Sequence, residues 1–246
     1  MTKNIKRRFW EIDLLRGIAV VMLIFFHFLY DLNFFDIYKL SLYSGYFLIY
    51  VYTGGALFLS LIGVSLTLSY ARAKKNFTKK QLQLKYLKRG LKIFGLGMII
   101  TLATRICLGE GFIVFGALHC IGASIILAYP FLRLRYQNFL LGIILILIGI
   151  VLKNFTFDFY WLIWLGFTPT QFYTVDYFPL LPWFGVVLIG AFIGNSLYPK
   201  YKRRFALKDF SKFRFIQLFC FLGRHSLIIY LLHQPILIGL IYVLLL

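Results

Sequence analysis

The sequence predicts an all-α, polytopic integral membrane protein: a helical bundle of about seven transmembrane helices with a cytoplasmic N-terminus. Three observations predict it. First, 61% of the 246 residues are hydrophobic and 20% aromatic, with a mean hydropathy of +0.83, far more apolar than a soluble domain of this length. Second, runs such as FLLGIILILIGIVL (139–152) and LLPWFGVVLIGAFIGNSLY (180–198) reach or approach the length that crosses a hydrocarbon core of roughly 30 Å. Third, the cations alternate between loops. With the N-terminus inside, 24 of the 27 Lys and Arg fall in cytoplasmic regions, and only Lys39, Arg105 and Lys153 fall outside, as the positive-inside rule requires.

Spans are expected near 12–31, 45–70, 91–107, 113–132, 137–152, 178–198 and 222–244. The first follows KNIKRRFWEIDLLRG, which imitates the basic start of a signal peptide. No small-residue cleavage pattern follows it, so an uncleaved first helix is expected. The second and third spans are joined by a Lys/Arg-rich connection, 71–90, and the sixth and seventh by another, 199–221. Both are expected to be helical near the membrane surface, where their cations meet anionic lipid. The connection 153–177, KNFTFDFYWLIWLGFTPTQFYTVDY, is too aromatic for a solvated loop and too interrupted for a span. It reads either as an interfacial anchor, because Trp and Tyr favour the headgroup level, or as a re-entrant lid over an external cavity. The whole chain, 1–246, reads as a single transmembrane domain in the cell membrane.

The net charge of +19 suggests nucleic acid in a soluble protein, but its loop-by-loop distribution excludes that reading here. Cys107, Cys120 and Cys220 are odd in number and lack CxxC spacing, so packing is their expected role. Gly54, Gly55, Gly63, Gly95 and Gly97 give small-residue faces through which two copies could pair as a homodimer.

Ionisable groups inside spans mark function by default. Ten residues, all apolar or Gly, separate Arg16 from His27. Eleven steps at 100° return to within about 20° of the same face, roughly 16 Å further along the axis. Asp13 stands one turn before Arg16 and can pair with it; Asp31 stands one turn after His27. His27, His119 and His233 lie at similar depths, about 22, 21 and 17 Å from the inner boundary of their spans. Asp176 and Arg105 fall near the outer mouth, and Pro235 loosens the helix just after His233 and Gln234. No HExxH or comparable spacing is present, so no metal is predicted.

The segments RFWEIDLLRGIAVVMLIFFHFLYDLNFF, GALHCIGASIILAYPFL, DYFPLLPWFGVVLIGAFIG and FLGRHSLIIYLLHQP, in that order, resemble the heparan-alpha-glucosaminide N-acetyltransferase catalytic-domain family. The likeness runs from about residue 8 to 236, and the family's prokaryotic members are small membrane proteins. The Arg-to-His spacing of the first helix and the SLIIYLLHQP segment also resemble the broader acyltransferase-3 superfamily. The resemblance implies transfer of an acyl group, typically acetyl, from cytosolic acetyl-CoA to an acceptor across the membrane. Two departures stand out: fewer spans than the larger acetyltransferases, and no extra-membrane domain that could select a glycan.

On that reading, Arg16, Asp13, Lys88, Arg89 and Arg224 bind the acyl-CoA at the inner mouth, with Lys92 nearby and lipid phosphate as the competing partner. His27, backed by Asp31, is the general base or a transient nucleophile. His119, His233 and Asp176 stabilise an oxyanion or bind the acceptor, which is a cell-surface glycan or a lipid. Two other readings compete: a proton-coupled transporter or channel using the same His, Asp and Arg residues, and a scaffold subunit in which the polar stripe docks another helix.

Overall fold

The computed structural model describes residues 8–42 and 44–245; Lys3, Lys6 and Arg7 of the basic N-terminus lie outside them. Eight α-helices occur among the described residues: α1 (Trp10–Phe34), α2 (Gly45–Ala73), α3 (Lys79–Leu108), α4 (Ala117–Ala128), α5 (Tyr136–Leu152), α6 (Leu180–Leu197), α7 (Arg214–Arg224) and α8 (Ser226–Leu245). A helix stands at each of the seven expected spans, and five of them (α1, α2, α3, α6 and α8) are long and apolar enough to cross a membrane. The other two are shorter. α4 has 12 residues and α5 has 17, rises of about 18 and 26 Å against a core of roughly 30 Å. α4 ends early because Pro130, in the 3-10 turn Tyr129–Arg133, has no N–H to continue the α ladder.

The basic connections differ from one another. The stretch before the third span joins its helix. Thr78 and Gln81 form a reciprocal capping box (Thr78 N–H to Gln81 Oε1, 2.9 Å; Gln81 N–H to Thr78 Oγ1, 3.4 Å), and the Lys, Gln and Leu residues that follow are good helix formers. α3 therefore begins at Lys79 rather than near 91, and ends at Gly109, whose φ of 69° suits a residue without Cβ. In 199–221 the helix is confined to the last part, α7, which His225 separates from α8.

The chain divides into two compact units, one built from the residues up to Leu61 together with Leu207 onward, the other from Ile62–Ala206. In the first, α1 packs against α7 and α8. α1 and α7 touch backbone to backbone: a Cβ on Gly17 would strike the Phe219 carbonyl, and one on Gly223 the Asp13 carbonyl. Such small-residue contacts substitute for the hydrophobic drive that lipid removes.

In the second unit α5 pairs with α6, α3 with α4, and α4 with α6. Asn138, fully buried, donates to the Phe131 and Leu134 carbonyls at 3.0 and 2.9 Å, and Asn195 donates to Leu132 and Leu134. These amides satisfy carbonyls in and just after the 3-10 turn that follows α4. Of the glycines considered for pairing between copies, Gly63 abuts the Val187 carbonyl and Gly97 the His119 ring, whereas Gly95 faces open space. Cys120 and Cys220 are buried and Cys107 is exposed, all as free thiols.

The aromatic connection after α5 is irregular apart from one 3-10 turn, Ile163–Leu165. It is nevertheless tied to the segment before α4: Val175 N–H donates to Gly111 O at 2.9 Å, Phe178 N–H to Phe115 O at 2.9 Å, and Thr174 Oγ1 to Phe112 O at 2.7 Å. Trp161 and Tyr160 point outward from it.

Candidate active site

α1 is continuous from Trp10 to Phe34, so the face joining Asp13, Arg16, His27 and Asp31 is preserved. At its first end Arg16 Nη1 lies 3.4 Å from Asp13 Oδ1 and 3.5 Å from the carbonyl oxygen of Gly223, near the C-terminus of α7, where a cation complements the helix dipole. The pair is partly shielded, with side chains 18% and 8% exposed. Arg224, the next residue, is exposed.

Further along, two imidazoles meet. His27 and His233 have ring centroids 4.7 Å apart at an interplanar angle of 79°. His27 Nδ1–H donates to the Leu23 carbonyl at 2.9 Å, and His233 Nδ1–H donates to the Tyr230 carbonyl at 2.6 Å. A carbonyl only accepts, so the proton of each neutral ring sits on Nδ1 and each Nε2 carries a lone pair. His233 is 8% exposed and its Nε2 is buried without a hydrogen-bond partner.

Asp31, 2% exposed, accepts at Oδ1 from Gln234 Nε2 at 2.6 Å. Its Oδ2 and the Gln234 Oε1 are also buried and unpartnered. His27 Nδ1 is therefore held by the Leu23 carbonyl, one turn back on the same helix, and the Asp31 carboxylate expected to back His27 bonds to Gln234 of α8 instead. Pro235 adds another acceptor, because it has no N–H for the Leu231 carbonyl one turn before it. The cluster holds a surplus of acceptors.

Gln234 is the residue to which sequence reasoning gave no role. Its signal was present, since an amide beside a histidine in a span is itself a costly polar group.

In the second unit His119 and Asp176 meet at the start of α4. His119 Nδ1 accepts from Gly116 N–H at 3.2 Å, and Nε2 lies 3.4 Å from Thr101 Oγ1, which donates onward to Ile113 O at 2.6 Å. Both ring nitrogens are engaged within this unit, and the side chain is 2% exposed. Asp176 Oδ2 accepts from Ala117 N–H, the first residue of α4, at 3.1 Å, the favourable place for a carboxylate at a helix N-terminus. Burial, opposed by that N–H, pushes the Asp176 carboxyl up to about 6.

Lys88 and Arg89 are exposed on α3, and Arg105 lies over the Phe112 ring at 5.6 Å. Among the described residues no group of three His, Cys, Asp or Glu could hold a metal ion.

The family model described as heparan-alpha-glucosaminide N-acetyltransferase, catalytic, matches residues 8–235. No curated protein and no solved structure matches the chain.

Proposed function

The chain belongs to the heparan-alpha-glucosaminide N-acetyltransferase catalytic family, and on that premise we propose that it is a membrane-embedded acetyltransferase whose reacting base is His27. The donor is cytosolic acyl-CoA, acetyl-CoA above all, and the acceptor is a sugar or lipid on the outer side of the cell membrane. The seven apolar helices α1–α6 and α8 all belong to the membrane domain, with the N-terminus cytoplasmic, a topology supported by the placement of the cations. The aromatic connection 153–177 is its outer re-entrant or interfacial segment.

The observation that carries the reading is the pair of imidazoles with Nδ1–H groups tied to their own helices. Fixing the Nδ1 proton leaves Nε2 as the basic atom of His27. His27 Nε2 takes the proton of the acceptor's N–H or O–H as the acceptor's lone pair attacks the thioester carbonyl. The C–S bond then breaks, and the imidazolium returns that proton to the CoA thiolate. His233 Nε2, Asp31 Oδ2 and Gln234 Oε1, bare acceptors in the same cluster, receive further donor groups of the acceptor and hold it in place.

Arg16 lies roughly 16 Å from His27 along α1, the order of length of a pantetheine arm. Because it is already paired with Asp13, the exposed Arg224 beside it is the freer of the two for phosphate. Asp176 and His119 hold the outer start of α4.

The test is turnover of radiolabelled acetyl-CoA by detergent-purified protein, with His27→Ala and Arg16→Ala each checked for folding. Loss of general-base catalysis predicts a fall in rate of about 10²–10⁴ for His27→Ala with CoA binding retained. Label retained on wild-type protein after removal of CoA would indicate an acyl-imidazole route instead. Folded wild type that neither binds nor turns over acetyl-CoA would sink the acetyltransferase reading in favour of proton-coupled transport.

A further inference from the structure

Three tyrosines of the second unit gather where α2, α3 and the turn after α4 meet. Tyr86 and Tyr129 have ring centroids 5.6 Å apart, and Tyr70 and Tyr129 6.5 Å. Arg133 lies over the Tyr70 ring at 5.8 Å and its Nε donates to the Tyr70 hydroxyl. Arg89, one turn beyond Tyr86 on α3 and in electrostatic contact with it, brings a second guanidinium to the cluster.

Tyr70 and Tyr86 are buried, at 5% and 1% exposed, whereas both arginines reach the surface. The Tyr86 hydroxyl is buried beside the Ser69 side chain and makes no hydrogen bond of normal geometry. A hydroxyl so placed is costly to leave unpaired, and a ligand acceptor would relieve it.

The surrounding charge is one-sided. Residues 62–109 contain many Lys and Arg and no Asp or Glu, and the acidic residues of this unit, Glu110, Asp158 and Asp176, all come after α3. Among the described residues neither guanidinium lies within ion-pair distance of a carboxylate. A guanidinium held by one nitrogen on a phenol keeps its remaining N–H groups for a second acceptor, and a tetrahedral phosphate accepts several at once.

We propose that Arg133, Arg89 and Tyr86 form a phosphate-binding site, with Tyr70 as the positioning residue that aims Arg133. Two sources supply such a phosphate: the phosphates of the acyl-CoA donor, in which case the inference rests on the acetyltransferase reading, or the headgroup of an anionic lipid, in which case it does not.

The experiment is calorimetric titration of the full-length detergent-solubilised protein with CoA and, separately, with a short-chain phosphatidic acid. Wild type, Arg133→Gln, Arg133→Lys, Tyr86→Phe and Lys74→Gln are compared, Lys74 being an exposed cation of the same stretch outside the cluster. Loss of a charge-assisted bond predicts that Arg133→Gln weakens binding about tenfold or more. Arg133→Lys recovers part of it, Tyr86→Phe weakens it severalfold without removing charge, and Lys74→Gln leaves it within about twofold.

That pattern with CoA alone assigns the site to the donor; with phosphatidic acid alone, to lipid; with both, to phosphate in general. If neither probe binds, or if Lys74→Gln weakens binding as much as Arg133→Gln, the site does not exist and the surface is only diffusely basic. His27→Ala should bind both probes like wild type. Tight CoA binding without acetyl transfer would overturn the catalytic proposal and leave this one intact.

Discussion

The bond between Asp31 and Gln234 can be weighed by a double-mutant cycle. Gln234 Nε2 donates to Asp31 Oδ1 at 2.6 Å, joining α1 to α8 at a carboxylate 2% exposed. A hydrogen bond to a charged group contributes about 1.5–3 kcal/mol in water-soluble proteins. Bonds between membrane helices average nearer 0.6 kcal/mol, because the unfolded helices find other partners in the bilayer. A buried carboxylate has few substitutes, so the coupling should lie between those values, at about 1–2 kcal/mol.

The assay is unfolding by sodium dodecyl sulfate titration in mixed micelles for wild type, Asp31→Leu, Gln234→Leu and the double variant. A parallel cycle pairs Asp31→Leu with His27→Leu. The structure predicts coupling for Asp31 with Gln234 and less than about 0.5 kcal/mol for Asp31 with His27, since the His27 proton is held by Leu23, a main-chain group untouched by Asp31→Leu. Coupling to His27 that exceeds coupling to Gln234 would refute the assignment of the tautomer to the helix backbone.

Other outcomes follow from the same geometry. Gly17→Val places side-chain carbons into the Phe219 carbonyl and should destabilise the protein by about 2–3 kcal/mol or more, read as a lower unfolding midpoint, while Leu15→Val on the exposed part of the same helix changes little. Asp176 titrates near 6 against an ordinary value of 3.8. Its raised value contributes stability that is full below about pH 4 and lost as pH rises through 6. Comparing wild type with Asp176→Asn across that window should show a difference of up to about 3 kcal/mol; parallel curves would mean that Asp176 is not buried as described. Asn138→Leu removes both donors to the Phe131 and Leu134 carbonyls and should cost about 1–3 kcal/mol in the same titration.

The apolar runs located a helix at every expected span, because burial in lipid demands continuous backbone hydrogen bonding over each run. The errors fall where composition and backbone geometry diverge. The length of α3 came from the Thr78–Gln81 capping box, a local signal inside a charged stretch whose helix was expected at the membrane surface and not as the start of the span. The early end of α4 came from Pro130. Helix was expected across 199–221 and α7 takes only the last part of it; its fit against α1 depends on Gly17 and Gly223, two residues more than 200 apart in sequence, and no local pattern records it. The Asp13–Arg16 pair was legible because it lies within one turn of one helix. The Asp31–Gln234 bond was not, because it joins two helices whose relative rotation no single-helix pattern records.

The histidines show how backbone position separates like residues into different chemistry. His27 and His233 lie inside their helices, where the main-chain groups within reach are carbonyls of the preceding turn; each ring must donate from Nδ1, and Nε2 is left as an acceptor. His119 is the third residue of α4, where the unsatisfied main-chain groups are N–H donors. Its Nδ1 accepts from Gly116, which makes Nε2 the protonated atom, directed at Thr101. Similar expected depths within their spans made the three look equivalent. Place within the helix decides the tautomer of each, and only the tautomer carried by His27 and His233 presents Nε2 as a base. A histidine in the first turn of a span should therefore be read first as a cap, and one in the middle of a span first as a proton acceptor.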